Sequence, residues 1–261
     1  MNKCPIGIFD SGLGGLSICK EIISTLPNES IIYLADSVNT PYGEKNKEEI
    51  IALSIKNTEF LLALGCKIIV VACNTATTNA IAVLREKYNI PFIGIEPAIK
   101  PAALQTRSGK IGVLATKGTL SSDLFISNSN LLRKQLEIIE VEGANLVRLI
   151  ENGQLEETKP LLKQYLIPMI EQGVDNIVLG CTHYPFLIPI IRELIPNHVT
   201  IIDSGKAVAK QTLAVLSEKK MLNKNGQENS TTYYTNNSVE LLKAFLKRVE
   251  LEEGAIIFKE F

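Results

Sequence analysis

Short runs of aliphatic residues alternate along the chain with longer stretches of helical spacing. The runs IIVVA (68–72) and IVLG (177–180) are apolar throughout, which is typical of strands covered on both faces in a parallel sheet. The stretches Lys47–Leu64 and Leu161–Gln172 have the spacing of helices. This alternation predicts right-handed βαβ units and an α/β fold class.

Nine strands and two C-terminal helices are expected from this pattern. The strands are predicted at Pro5–Phe9, Ile31–Ala35, Lys67–Ala72, Phe92–Ile95, Lys110–Leu114, Glu137–Val141, Asn176–Gly180, Val199–Ile202 and 231–235. The helices are predicted over Lys206–Lys219 and from Ser238 to Val249.

An internal repeat divides the chain. GCKIIVVAC (65–73) resembles GVDNIVLGC (173–181) at an offset of 108, and in each copy a glycine stands eight residues before the cysteine. Residues 6–11 resemble residues 111–116 at an offset of 105. We therefore predict two similar doubly wound parallel-sheet domains that face each other across a cleft. Residues 1–97 with 206–261 would form one domain, and residues 98–205 the other.

Charge and cysteine usage exclude several classes of protein. With 27 basic and 28 acidic residues, the chain has no basic excess to favour nucleic acid or a membrane surface as a partner. Five cysteines at irregular spacing and two histidines predict neither a disulfide framework nor a metal site. No apolar stretch precedes Cys4, so neither a secretory signal nor a lipoprotein leader is expected. We expect a cytoplasmic protein with reduced thiols.

Two of the cysteines stand at matching strand ends. A single free cysteine is usually a small core residue, and Cys4, Cys19 and Cys66 are interpreted in that way. Cys73 and Cys181 differ because each precedes residues suited to start a helix, whose N–H groups are expected to stabilise a thiolate. Racemisation requires a base on one face of a carbon and an acid on the other. The pair therefore favours a racemase that uses two thiols.

Further polar residues lie at the same predicted strand ends. Hydroxyl and amide groups can bind the carboxylates of a small substrate, or they can simply cap helices. These residues are Ser11, Asn74, Thr75, Thr119 and Thr182. Asp10 can orient a substrate ammonium or assist Cys73, and His183 can control the proton on Cys181, although both residues can also be structural. From the sequence alone, Glu151 is expected to be a solvated residue at a helix end.

Four segments carry a resemblance to a known family. GIFDSGLGGLS (7–17), ADSVNTPYGEK (35–45), ACNTAT (72–77) and GCTHYP (180–185) resemble, in order, the signature segments of the glutamate racemases. The resemblance implies interconversion of L- and D-glutamate without pyridoxal phosphate or metal, for peptidoglycan synthesis, in a two-domain protein that forms homodimers. Cys73 would act on D-glutamate and Cys181 on L-glutamate. Implied substrate contacts are Asp10, Ser11, Tyr42, Gly43, Asn74, Thr75, Thr182 and His183, and Glu151 becomes a catalytic candidate.

The sequence departs from that family at two points and leaves other functions open. Residues 143–151 lack the usual Cys-Pro, and Phe125 stands where a tyrosine is common. An aspartate racemase and a non-catalytic protein that closes its domains on an amino acid both remain alternatives. A nucleotide-dependent oxidoreductase is a third, although Ser17 stands where the third glycine of a dinucleotide-binding loop belongs.

Overall fold

The computed structural model of the chain describes residues 3–223, 229–252 and 254–261, and its strands form two parallel sheets. The strands are β1 (Ile6–Asp10), β2 (Ile31–Ala35), β3 (Ile68–Val71), β4 (Phe92–Gly94), β5 (Lys110–Ala115), β6 (Glu137–Glu142), β7 (Asn176–Gly180), β8 (Thr200–Ile202), β9 (Thr231–Thr235) and β10 (Ala255–Phe258). All nine predicted strands are present, with ends that differ by one residue at most. The strand β10 was not predicted.

Helices cover both faces of the sheets. They are α1 (Leu16–Thr25), α2 (Lys47–Ala63), α3 (Asn74–Lys87), α4 (Ile99–Gln105), α5 (Lys117–Leu120), α6 (Asp123–Leu132), α7 (Leu146–Glu151), α8 (Lys159–Glu171), α9 (Ile188–Leu194), α10 (Gly205–Glu218) and α11 (Val239–Arg248). Within the described ranges, no helix is both long and apolar enough to cross a membrane.

Four strands of the larger sheet have the same order as the four strands of the smaller sheet. The six-stranded sheet runs β10-β9-β2-β1-β3-β4, and the four-stranded sheet runs β6-β5-β7-β8. Every pairing is parallel, so β2-β1-β3-β4 and β6-β5-β7-β8 are equivalent arrangements. The α/β fold class and the internal repeat are therefore confirmed.

The apolar core is divided by the sheets. On β1, Ile6 and Ile8 face one core cluster while Phe9 faces another, because alternate residues of a strand point to opposite faces. The cluster around Ile6 also contains Ile177 of β7, so a single apolar region links the two sheets. The far face of the four-stranded sheet packs on a third cluster, which includes Phe125 of α6.

A buried ion pair fixes the end of α10 to the six-stranded sheet. Lys67 Nζ lies 2.5 Å from Glu29 Oε2 and also donates to the carbonyl oxygen of Met221 at 2.8 Å. The main-chain N–H of Asn223 donates to the other oxygen of Glu29 at 2.8 Å. The polypeptide thus returns to the first sheet after it leaves the second.

Strand order determines where a ligand can bind. In each sheet the order of connection reverses at one point, between β1 and β3 and between β5 and β7. Ligands of open parallel sheets bind in the crevice at the carboxyl ends of those strands. The residues at these ends include Asp10, Cys73, Thr116 and Cys181.

Candidate active site

The structure brings the two predicted cysteines to one buried site. Cys73 follows β3 and begins α3, where its sulfur accepts the N–H of Ala76 at 3.5 Å. Cys181 follows β7, and both cysteines are less than 8% exposed. Ser11 lies 3.7 Å from the Cys73 sulfur, and its neighbour Asp10 accepts the hydroxyl of Thr182, the residue after Cys181, so both cysteines lie at the boundary between the sheets.

Burial keeps the Cys73 thiol protonated. It raises the pKa of this thiol well above the ordinary value, and the negative charge of Asp10 raises it further. The N–H of Ala76 and the hydroxyl of Ser11, 3.7 Å from the sulfur, act in the opposite direction but do not compensate. The N–H at the start of α3 thus acts on the Cys73 thiol in the predicted direction, towards a thiolate, but burial and the charge of Asp10 outweigh it, so the thiol keeps its proton in the closed site.

Cys181 lies beside an imidazole and a carboxylate. His183 Nδ1 is 3.7 Å from the sulfur, and His183 Nε2 is 2.5 Å from Glu151 Oε1. Burial alone would lower the pKa of His183, but the bonds to Cys181 and Glu151 raise it well above the ordinary value. His183 is therefore an imidazolium that attracts negative charge on the Cys181 sulfur.

Glu151 is an internal residue, so the expectation that it is solvated is wrong. It is 8% exposed, at the end of α7. Its carboxylate accepts the main-chain N–H of Leu13 at 2.6 Å and the hydroxyl of Ser37 at 3.4 Å, besides the contact with His183. Ser37 lies in one of the segments that carry the family resemblance, whereas the N–H of Leu13 has no side-chain signature in the sequence.

The glycine-rich loop after β1 packs directly on this pair. A Cβ atom on Gly12 would overlap Glu151 Oε1, and one on Gly14 would overlap His183 Nδ1. Gly12 and Gly15 donate their N–H groups to Asp10 at 3.2 and 2.9 Å. Because these donors already bind protein side chains, the loop does not present them to a pyrophosphate, and a dinucleotide site is not supported.

Asp10 connects the two sheets. Its Oδ1 accepts the hydroxyl of Thr182 at 3.3 Å, and Thr182 follows Cys181 on the four-stranded sheet. Burial raises the pKa of Asp10 to about 6, although the positive charge of His183 and the N–H of Gly15 lower it. Asp10 therefore titrates near neutral pH, inside the site.

Three threonine hydroxyls form a second polar cluster. Thr75 Oγ1 lies 2.8 Å from Thr116 Oγ1 and 3.2 Å from Thr119 Oγ1. Gly43 packs closely here, since a Cβ atom on it would come within 2.7 Å of Thr116 Cβ. Thr75 and Gly43 come from the first half of the repeat and the other two from the second, so these hydroxyls also lie between the sheets.

Two of the predicted contacts differ in what they can offer a ligand. The Tyr42 hydroxyl binds Asp36 and accepts from Asn57 Nδ2 at 3.0 Å, so any contact between Tyr42 and a substrate would come from its main chain. Asn74 is 3% exposed, and its Oδ1 has no hydrogen-bond partner among the described residues. A buried amide oxygen of this kind is costly, and an N–H donor of a ligand would satisfy it.

The site is closed in this structure. All the predicted site residues are buried. A cavity of only 30 Å³ adjoins the site, with Gly43, Thr116 and Arg148 in its wall, and Arg148 Nε donates to Glu44 across it at 2.9 Å. A larger cavity of 830 Å³ lies away from the site, at the amino ends of β7 and β8, beside Asn176 and Thr200. The two cysteines are therefore closed off from solvent in this structure.

No group of three or more His, Cys, Asp or Glu side chains is placed to hold a metal ion within residues 3–223, 229–252 and 254–261.

Known proteins resemble this chain along its whole length. The family model for Asp/Glu/hydantoin racemase matches residues 6–212. The glutamate racemase of Ectopseudomonas mendocina is 45% identical over 258 residues, which cover 98% of each chain. That of Herpetosiphon aurantiacus is 44% identical over 237 residues, or 90% of this chain and 93% of the relative.

Solved structures of glutamate racemases have the same fold. An isoform from Bacillus anthracis superimposes with a TM-score of 0.89 at 34% identity, covering 100% of this chain and 98% of the other. The Escherichia coli protein, solved with L-glutamate and the activator UDP-MurNAc-Ala, gives 0.84 at 32% identity, with 98% of both chains covered. With its family model, relatives and fold in agreement, the chain belongs to the Asp/Glu/hydantoin racemase family, among its glutamate racemases.

Proposed function

We propose that this protein interconverts L- and D-glutamate by proton transfer at the α-carbon between Cys73 and Cys181, without a cofactor. The observation that carries the proposal is that two thiols, from equivalent strand ends of two equivalent sheets, lie in one buried network of side chains that includes Asp10. The relatives named glutamate racemase support glutamate as the substrate. D-Glutamate made in this way would supply peptidoglycan synthesis and so maintain cell shape.

The two cysteines begin a turnover in opposite protonation states. With L-glutamate bound, the Cys181 thiolate, held beside the His183 imidazolium, removes the α-proton and becomes a thiol. The electron pair of the broken C–H bond stays on the carbon as a carbanion. The Cys73 thiol then protonates the opposite face and becomes a thiolate, which yields D-glutamate. The reverse reaction starts from this exchanged state.

The other polar groups would hold the substrate and set the protonation of the cysteines. Asp10 and the free Oδ1 of Asn74 are suited to the substrate ammonium. Hydroxyls and main-chain N–H groups are suited to its two carboxylates, supplied by Ser11, Tyr42, Gly43, Thr75, Thr119 and Thr182. His183 and Glu151 would act together on Cys181, because His183 bridges the sulfur and the carboxylate.

Separation of two domains would admit the substrate. We assign residues 1–97 with 206–261 to one domain and residues 98–205 to the other. Support comes from the sheets, since the strands of each set lie in a single sheet. The homodimer and the cytoplasmic location that the family resemblance implies stay predictions, which light scattering of the purified protein and cell fractionation would test.

The alternatives receive less support. An aspartate racemase homologue from Pyrococcus horikoshii superimposes with a TM-score of 0.50 at 20% identity, which is a likeness of fold alone. A protein that only binds an amino acid would use the polar groups but would not need two thiols in its site.

The deciding experiment follows the α-proton in deuterated water. The reduced protein, incubated with L-glutamate, should give D-glutamate that carries deuterium and should end at a racemic mixture. Cys73→Ser and Cys181→Ser should each lower the rate by at least about 100-fold, since each removes one proton carrier. Cys4→Ser, which changes a half-buried thiol outside the site, is the matched control and should keep the full rate.

Three outcomes separate the hypotheses. Full racemisation by both single variants would exclude the two-thiol mechanism. Glutamate binding without proton exchange would indicate the non-catalytic protein, and faster exchange of L-aspartate than of L-glutamate would indicate the aspartate enzyme. In the two-thiol mechanism, Cys73→Ala should exchange the α-proton of L-glutamate alone and Cys181→Ala that of D-glutamate alone.

A further inference from the structure

The C-terminal segment of the chain reaches the edge of the site. Strand β9 pairs with β2 in register, with Thr235 opposite Ala35. The next residues, Asn236 and Asp36, therefore lie side by side at the carboxyl ends of neighbouring strands. Asn236 lies beyond residues 6–212, where the family model matches.

The side chain of Asn236 is a bridge between two points of one segment. Its Nδ2 donates to Asp36 Oδ1 at 2.6 Å, and its Oδ1 accepts the main-chain N–H of Val38 at 3.0 Å. The residue is 8% exposed, so water does not readily replace these bonds. Both ends of the amide are thus engaged by residues 36–38.

Asp36 in turn binds residues further along the same segment. Its carboxylate also accepts Asn39 Nδ2 at 2.8 Å and the hydroxyl of Tyr42. The Tyr42 hydroxyl in turn accepts from Asn57 Nδ2 at 3.0 Å on α2. Residues 36–44, which we call the 36–44 segment, are therefore held by one network of charged and neutral hydrogen bonds around a buried carboxylate.

The 36–44 segment contacts both parts of the site. Ser37 donates to Glu151 at 3.4 Å, which is the carboxylate that holds His183. Gly43 packs against Thr116 at the proposed carboxylate-binding cluster. A displacement of the 36–44 segment would therefore move Gly43, at the proposed carboxylate-binding cluster. It would also move Ser37, which binds Glu151 on the Cys181 side of the site.

We propose that Asn236 is a positioning residue for glutamate. From outside the residues that the family model matches, its side chain fixes the position of the 36–44 segment. The proposal rests on the proposed function, and it assigns the C-terminal segment a part in substrate affinity. Loss of the Asn236 amide leaves Asp36 with fewer donors and frees the N–H of Val38. The segment then loosens, so that substrate binding weakens more than proton transfer does.

The test compares two neighbouring asparagines. Asn236→Ala should raise KM for glutamate about tenfold in both directions and lower kcat less than about threefold, the size expected for a lost bond to a charged acceptor. Amide hydrogen exchange of peptides that cover residues 36–44 should be faster in this variant, without substrate. Asn237→Ala, which changes an exposed side chain, is the matched control and should alter neither quantity.

Two results would overturn the proposal. The first is that Asn236→Ala folds and has the same KM and the same amide-exchange rates as the Asn237→Ala control. The second is that Asn236→Ala lowers kcat and leaves KM unchanged. If the alanine variant does not fold, Asn236→Asp keeps the size and the acceptor but places a second carboxylate at Asp36, and the same rise in KM and in exchange is expected. The exchange measurement is valid even if the wild-type protein fails to racemise glutamate, a failure that would refute only the proposed function.

Discussion

At the residue scale, burial sets the charge of the groups around the two cysteines. It keeps the Cys73 thiol protonated and raises the pKa of Asp10 to about 6. Only His183 is driven towards its charged form, because it bonds to Cys181 and to Glu151. The site is thereby asymmetric, with an acid on the Cys73 side and a cation beside Cys181.

The buried carboxyl of Asp10 predicts a pH-dependent stability. Its pKa is about 6 in the folded protein against an ordinary value of 3.8, so the native state holds the proton more tightly than the unfolded state. Its contribution to the free energy of unfolding is full below the unfolded pKa and is lost as pH rises through the folded pKa of about 6. Relative to Asp10→Asn, the wild-type protein should lose about 3 kcal/mol of stability between about pH 3 and about pH 7.

Denaturant unfolding at a series of pH values measures this difference. Asp123→Asn, at an exposed position, serves as the control for pH effects shared by the whole chain. A difference between wild type and Asp10→Asn that stays constant or grows with pH would contradict the expected titration.

At the scale of elements, the turn from β1 into α1 does more than connect them. Its glycines let the main chain approach Glu151 and His183 so closely that no side chain fits between. The N–H of Leu13 donates to Glu151 Oε1 at 2.6 Å, on the carboxylate that binds His183. The loop from the first sheet thus fixes the positions of Glu151 and His183, which follow strands of the second.

Substitution of one loop glycine tests this support. Gly14→Ala places a methyl group where His183 Nδ1 lies, so the imidazole must move away from Cys181, and kcat/KM should fall about 100-fold. Gly205→Ala, at the start of α10, is the matched control, since its Cβ would lie no nearer than 3.1 Å to other residues. Steady-state racemisation assays measure both; an equal, small effect of the two substitutions would disprove the steric role of Gly14.

The same elements show what the sequence could and could not predict. Strands β7 and β9 have their predicted limits, because each apolar or β-branched run is bounded by turn residues. The strand β10 was missed because it is a short edge strand with exposed apolar residues, such as Phe258 at 55%. The burial of Glu151 against His183 and the bond of Asn236 to Asp36 were not predicted, because these partners are 32 and 200 residues away in the chain and carry no local pattern. Glu151 was a candidate through the family resemblance alone.

At the scale of the whole molecule, the chain passes from the first sheet to the second and back. The return is fixed by Lys67 and Glu29, whose side chains are 1% and 2% exposed. Both also bond to main-chain groups after α10, at Met221 and Asn223. This ion pair therefore joins the C-terminal segment, which supplies β9 and β10, to the sheet that those strands complete.

Removal of one partner should be costly. Lys67→Met leaves the Glu29 charge buried beside fewer donors, and the free energy of unfolding should fall by about 3–5 kcal/mol. The double change Lys67→Met with Glu29→Leu should recover much of this loss, since no charge stays buried. Lys47→Met, in an exposed pair with Asp123, is the control and should cost less than about 1 kcal/mol. Chemical denaturation measures all three, and a double variant no more stable than Lys67→Met would contradict this account.

Because the site is closed, the proposed racemase would keep the protonation states that its last turnover left on the two cysteines. The two sulfurs are sealed from water while the sheets are together. In the proposed mechanism, a protein that has just released D-glutamate holds its proton on Cys181 and is prepared only for another D-glutamate molecule. It would have to exchange protons with solvent, in the proposed open state, before it could accept L-glutamate again. When one enantiomer is in large excess, this reset becomes a separate step that can limit the net flux, although the chemistry on the α-carbon is unchanged.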